Sequence, residues 1–190
     1  MPVAGRLAWW SPDPRAVLPL SAFVESRSLR RSRRQFEVRI DTDFGAVIDG
    51  CRSAPRDGGW INRSMLRAYR RLHALGVAHS VETWSPEGDL MGGLYGVSIG
   101  GLFAGESMFH RATDASKVAL AGLVDHLRQA GEPGRLLDVQ WPTDHLATLG
   151  VVGLPRRDYL RLLDVALTLP DAFAVQPAEA ATSSGRRPTR

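Results

Sequence analysis

The chain has 190 residues, with 24 Lys and Arg against 20 Asp and Glu and 44% hydrophobic residues. It is long enough to bury its own core, and its composition is that of a globular domain, not of a disordered or fibrous chain. The lone Cys51 excludes an internal disulfide and a multi-cysteine metal site. No apolar run approaches the ~20 residues of a membrane helix. The five histidines (His73, His79, His110, His126, His145) stand apart without HExxH spacing, and MPVAGRLAWW lacks the pattern of a secretory signal. A cytoplasmic protein with no metal, no cofactor and no membrane attachment is therefore expected.

Lys117 is the only lysine among the basic residues, an imbalance that genome composition explains. A pI near 10.0 still favours a polyanionic partner. Five arginines fall within RSLRRSRR (27–34), either a solvated surface or a face turned toward phosphates.

In chain order, WWSPDPRAVLPL (9–20) is too proline-rich for a regular element and reads as an extended lead-in. FEVRID (36–41) alternates Phe36, Val38 and Ile40 on one face, as a strand does. DFGAVIDGCR (43–52) reads as a short helix with Phe44, Val47 and Ile48 inward. INRSMLRAYRRLHALG (61–76) reads as a longer one, with a stripe of Ile61, Met65, Tyr69 and Leu72 and a stop at Gly76. Its opposite face carries Arg63, Arg67, Arg70 and Arg71.

Residues 78–110 give three strands joined by tight turns, an antiparallel meander. TDASKVALAGLVDHLRQAG (113–131) is the second long helix, with Asp114 as its cap and Val118, Leu120, Leu123, Val124 and Leu127 inward. LLDVQW (136–141) is a short buried strand, DHLATLG (144–150) a helical turn, and RRDYLRLLDVAL (156–167) a terminal helix or helix plus strand. The tail 176–190 is poor in apolar residues and is expected to be disordered.

Helices laid on a mostly antiparallel sheet make an α+β layered fold. The acetyltransferase-like N-acyltransferase fold is one such arrangement. Its acyl-CoA users carry a [RQ]-x-x-G-x-[GA] loop between a strand and a helix. HALGVA (73–78) begins with His73 and runs from helix to strand, and RQAGEP (128–133) ends in proline, so an acyl-CoA donor is disfavoured.

WWSPDPRAVLP, AYRRLHALGVAHSVETW, GGLYGVSIGGLFAGESMF, ASKVAL, DVQ, TDHLATLG and PRRDYL, taken in order, resemble the leucyl/phenylalanyl-tRNA–protein transferases over roughly residues 8–165. The resemblance implies a basic lead-in over 1–35 left from an N-terminal subdomain, and a catalytic domain over 36–170 with an acetyltransferase-like (GNAT-like) N-acyltransferase fold. It implies transfer of leucine or phenylalanine from aminoacyl-tRNA to the α-amine of a protein beginning with Arg or Lys, which marks that protein for degradation. It also selects Asp138, Gln140 and Glu106 as the catalytic centre, with the carboxylates engaging the incoming basic residue. Phe103, Met108 and Leu120 match positions lining the pocket for the apolar aminoacyl side chain. Trp60 is the candidate for stacking on the terminal adenine of the tRNA.

The residue types suit that chemistry. Aminolysis of an aminoacyl ester is downhill, so neither ATP nor metal is required. The nucleophile, an α-amine of ordinary pKa about 7.7–8.0, is partly neutral in the cell. Positioning, a route for the departing proton and stabilisation of the oxyanion are what remain to be supplied. A cationic first side chain calls for carboxylates. Period-two alternation puts Asp138 and Gln140 on one face of a buried strand, an odd choice for a core. Glutamine is a poor base, which suggests an orienting role. Lys117 in the first turn of a helix opposes the helix dipole, and a tRNA phosphate placed there would explain it.

Departures from the family pattern include a shortened segment before WWSPDPR, Gly59 for the Thr of GTWI, Arg52 after Cys51, and His110 where SMFS would have Ser. His110 is thus a candidate modifier of specificity. Two other readings remain open: the same transfer onto a small-molecule amine, and a catalytically silent tRNA-binding relative.

Overall fold

The computed structural model describes residues 2–3, 6–7, 10–54, 61–131 and 133–174. Trp60 and the tail from Gln176 lie outside them. In chain order the elements are β1 (Arg15–Val17), α1 (Arg27–Ser32), β2 (Glu37–Ile40), α2 (Phe44–Ser53), α3 (Arg63–Ala74), β3 (Ala78–Trp84), β4 (Leu90–Ile99), β5 (Leu102–His110), α4 (Ala115–Gln129), β6 (Leu136–Gln140), α5 (Asp144–Ala147), β7 (Val152–Leu154) and α6 (Arg156–Ala166). The described residues form an α+β fold around a seven-stranded sheet ordered β2–β3–β4–β5–β6–β1–β7. All its pairings are antiparallel except β5 with β6.

Local signals account for most of the elements. Asn62 caps α3 by accepting the Ser64 and Met65 amides, and Asp43 caps α2 by accepting that of Ala46. Asp114 behaves differently. It stands at the N-cap of α4 but in the left-handed region (φ 63°), and its side chain caps nothing. Its carboxylate instead takes Lys117 Nζ at 2.6 Å and Ser32 Oγ at 3.0 Å.

Three segments gain regular structure that local pattern does not show. Residues 15–17 pair with β6 on one side and β7 on the other, partners more than 120 positions away. Residues 152–154 become a strand only through that same pairing. Part of the arginine run forms α1, capped by Ser26, because Leu29 is buried under it.

The sheet is covered on both faces, which is why β3 is buried along almost its whole length despite carrying His79, Ser80, Glu82 and Thr83. On one face Leu94 and Phe103 pack with Val118, Leu120 and Leu123 of α4 and Leu29 of α1. On the other, Tyr95 and Phe109 meet Phe44, Val47 and Ile48 of α2 and Tyr69 of α3. Farther along that face Ala166 of α6 packs with Leu102 and Leu136. Burying each such side chain contributes about 1.5–3 kcal/mol. Close approach is needed at Gly50, where a Cβ would lie 2.7 Å from the Phe109 ring. Among the described residues no helix is long and apolar enough to cross a membrane.

Candidate active site

The parallel ladder between β5 and β6 is short. It pairs Leu102 with Leu136, Phe103 with Leu137 and Ala104 with Asp138, its last register pair. Near that level both strands break step with their other neighbours. Gly96 pairs with Gly105 and Tyr95 with Ser107, so Glu106 is the extra residue of a bulge in β5. Val139 is the extra residue of β6 against Ala16 and Val17 of β1. Two neighbouring bulges re-aim the side chains on either side of the opening.

The bulge at Glu106 also changes the phase of β5. Phe103 opposes Ser98 and Met108 opposes Leu94, two residues on the same face of β4. Strict alternation over five positions would have put Phe103 and Met108 on opposite faces. Both therefore pack on the α4 side, where Phe103 and Leu120 are buried and Met108 is half-buried against the same cluster.

Asp138 points toward α6 and is 1% exposed. Arg15 grips it with Nε at 3.0 Å from each oxygen and Nη2 at 2.8 Å from Oδ2. The Tyr159 hydroxyl donates to Oδ2 at 2.8 Å. The backbone N–H of Gln140 donates to Oδ1 at 2.8 Å, and Gln140 itself is in the left-handed region (φ 68°). Simple alternation is thus interrupted: Gln140 turns away from Arg15 and lays its carboxamide across the opening. Its Nε2 donates to Gly105 O at 2.8 Å and to Glu106 Oε2 at 3.2 Å. Tyr69 of α3 completes the row by hydrogen bonding to Glu106.

The two carboxylates sit in different electrical surroundings. Asp138 is matched by the Arg15 guanidinium. Glu106 is held above the usual carboxylate range chiefly by burial, opposed in part by its hydrogen bonds to Tyr69 and Gln140. Burial, reinforced by the adjacent carboxylates, also pushes the phenols of Tyr69 and Tyr159 up, so both stay protonated and can donate. The arrangement can orient an amine, offer it a negative group and keep two donors in place.

His110 and Lys117 lie apart from this row. His110 is exposed at the end of β5, four residues beyond Glu106. With Arg111, Thr113, Ser116 and Lys117 it lines a cleft of about 460 Å³ at the start of α4. The anion beside Lys117 there is Asp114. Among the described residues no group of three or more His, Cys, Asp or Glu could hold a metal ion.

The family model for leucyl/phenylalanyl-tRNA protein transferase matches residues 17–164. The chain belongs to the leucyl/phenylalanyl-tRNA–protein transferase family, a family of aminoacyltransferases. It is similar to the leucyl/phenylalanyl-tRNA–protein transferase of Herpetosiphon aurantiacus, 48% identical over 89% of this chain and 87% of that protein. The Rubrobacter xylanophilus protein of that name is 50% identical over 90% and 88%. The Klebsiella pneumoniae one is 49% identical over 89% and 73%.

In this transferase-family chain, Arg15, Tyr69 and Tyr159 join the site although the sequence marks none of them as functional; Tyr69 reads there only as part of an apolar helix stripe. Each stands inside a quoted motif block (WWSPDPRAVLP, AYRRLHALG, PRRDYL). Nothing in the blocks says that Arg15 reaches 123 positions along the chain to Asp138.

Proposed function

We propose that this chain transfers leucine or phenylalanine from aminoacyl-tRNA to the N-terminal α-amine of proteins beginning with Arg or Lys, tagging them for degradation in the cytoplasm. Asp138, Gln140 and Glu106 form its catalytic centre. The carrying observation is the Gln140 carboxamide, held between Gly105 O and Glu106. With both amide hydrogens engaged, its Oε1 is the acceptor left for an N–H of the incoming α-amine. The amine nitrogen attacks the ester carbonyl, the C–O bond to the terminal ribose breaks, and the ribose hydroxyl leaves with a proton that the amine gives up. Glu106 receives the cationic first side chain. Asp138 steadies Gln140 from behind.

The parting of β5 and β6 after three residue pairs supports a GNAT-like acyltransferase arrangement, with the reacting ends meeting where the strands open. Met108, half-buried on the α4 side with Phe103 and Leu120 behind it, suits a pocket that repacks for either leucine or phenylalanine. Trp60 and Lys117 are assigned to the tRNA 3′ end, Trp60 by stacking, and His110, in the same cleft as Lys117, to tuning of the acceptor. No cofactor takes part.

The test mixes the protein with leucyl- or phenylalanyl-tRNA and, in separate reactions, peptides beginning Arg, Lys or Ala or a small-molecule primary amine. Transfer to Arg and Lys alone is expected. Transfer only to small-molecule amines moves the acceptor to biosynthesis, and binding without transfer marks a silent relative.

A further inference from the structure

We infer that Arg15 and Tyr159 are positioning residues that hold Asp138 so that its carboxylate fixes the Gln140 backbone, and through it the Gln140 carboxamide. This rests on the proposed aminoacyl transfer at the same site. A carboxylate offers about four lone-pair directions. On Oδ1 they go to Arg15 Nε and the Gln140 N–H, on Oδ2 to Arg15 Nη2 and the Tyr159 hydroxyl. None is left for the proton of a nucleophile, and at 1% exposure water cannot easily compete for one. Asp138 therefore acts through what it holds.

What it holds is a strained residue. Glutamine at φ 68° sits where a side chain is disfavoured, and two hydrogen bonds fix it there: Trp141 N–H to Val139 O at 2.8 Å, which closes the turn across it, and its own N–H to Asp138 Oδ1 at 2.8 Å. The bulge at Val139 has already broken regular pairing with β1, so these two bonds stand in for the ladder at Gln140. Arg15 and Tyr159 come from different elements, β1 and α6, and their own contact, guanidinium 5.6 Å from the ring centroid, links them. The carboxylate so clamped can neither rotate nor tilt without breaking a charge-assisted bond. A lysine at 15 would keep the charge but lose the fork.

The same clamp divides the labour between the carboxylates. Arg15 matches Asp138, which leaves Glu106 to face a cationic acceptor. Loss of the clamp should thus slow the chemical step without weakening tRNA binding.

The experiment compares wild type, Tyr159→Phe, Arg15→Lys and Arg15→Met for kcat, KM for aminoacyl-tRNA, and hydrogen exchange of the Gln140 backbone amide by NMR. Tyr159→Phe keeps the ring and should lower kcat roughly tenfold, leave KM within about twofold, and speed Gln140 amide exchange. Arg15→Lys should recover part of what Arg15→Met loses. In an Asp138→Asn background the further effect of Tyr159→Phe should largely vanish, because the two act through one group. Unchanged Gln140 exchange in both Tyr159→Phe and Arg15→Lys, or full additivity with Asp138→Asn, overturns the inference. If wild type transfers nothing, the functional reading fails separately, while the exchange data still decide whether the clamp fixes Gln140.

Discussion

Gln140 donates through its side-chain amide to Glu106 at 3.2 Å, and this bond crosses the place where β5 and β6 part. It joins a residue of a parallel strand pair to the extra residue of a bulge, two positions brought together from 34 residues apart. Gln140→Ala removes the bridge and the acceptor proposed for the amine. Transfer should fall at least 100-fold, the scale of losing a preorganised group that acts on the reacting atoms, with tRNA affinity little changed. Single-turnover transfer beside a filter-binding titration measures both.

Glu106 gives a pH prediction with a definite sign. Burial holds its folded-state pKa above the ordinary value of about 4.3. The fold therefore favours the protonated form. That contribution is fully present below the ordinary pKa and is lost as pH rises through the raised one. At neutral pH Glu106→Gln should raise Tm, by roughly 1–3 °C on the scale of a domain this size. The same change should abolish the preference for Arg and Lys over Ala. Protonation of the acceptor α-amine slows both proteins as pH falls, so the ratio of Arg or Lys to Ala transfer is the readout. In wild type it should fall away as pH drops through a value above the range of an ordinary glutamate, and in the variant it should stay flat. Thermal melts and a pH–rate profile on three peptides check the set.

Asp138→Ala should abolish transfer while leaving tRNA binding almost intact. It also leaves Arg15 and the Tyr159 hydroxyl without their partner, a destabilisation of about 1–3 kcal/mol once the 17% exposure of Arg15 is allowed for. Urea denaturation gives the stability and a gel-shift titration the binding. Equal loss of transfer and binding would count against placing Asp138 at the chemistry.

Phe103 and Met108 should separate stability from selectivity. Phe103 is 0% exposed, so Phe103→Ala should cost about 3–5 kcal/mol through lost burial and the cavity it leaves. Met108 is half-buried. Met108→Ala should cost less stability and shift the ratio of leucyl to phenylalanyl transfer severalfold, measured as kcat/KM for the two tRNAs.

Much of the fold was legible in local pattern. The stripe of Tyr69 and Leu72, the alternation in 78–110 and the helix stop at Gly76 describe contacts within a few residues, where period and turn chemistry act. The α+β class followed from them. β1 and β7 were not legible, since three residues become a strand only when a distant strand supplies the ladder. Asp114 looked like a helix cap because its type and place were right, and only the approach of Ser32 and Lys117 shows where its carboxylate goes.

The site divides the same way. The sequence by itself determined the residue types and the family: Glu106 among small and apolar neighbours, Asp138 and Gln140 two apart on a buried strand, and motif blocks in order along most of the chain. Tertiary structure decided how they are aimed. The bulges at Glu106 and Val139 reset side-chain phase on both strands, and the left-handed backbone at Gln140 turns its amide toward Glu106. Arg15 from β1 and Tyr159 from α6 hold Asp138 in place. Bulge position and charge pairing depend on register between distant strands, and register is set by packing the whole sheet at once.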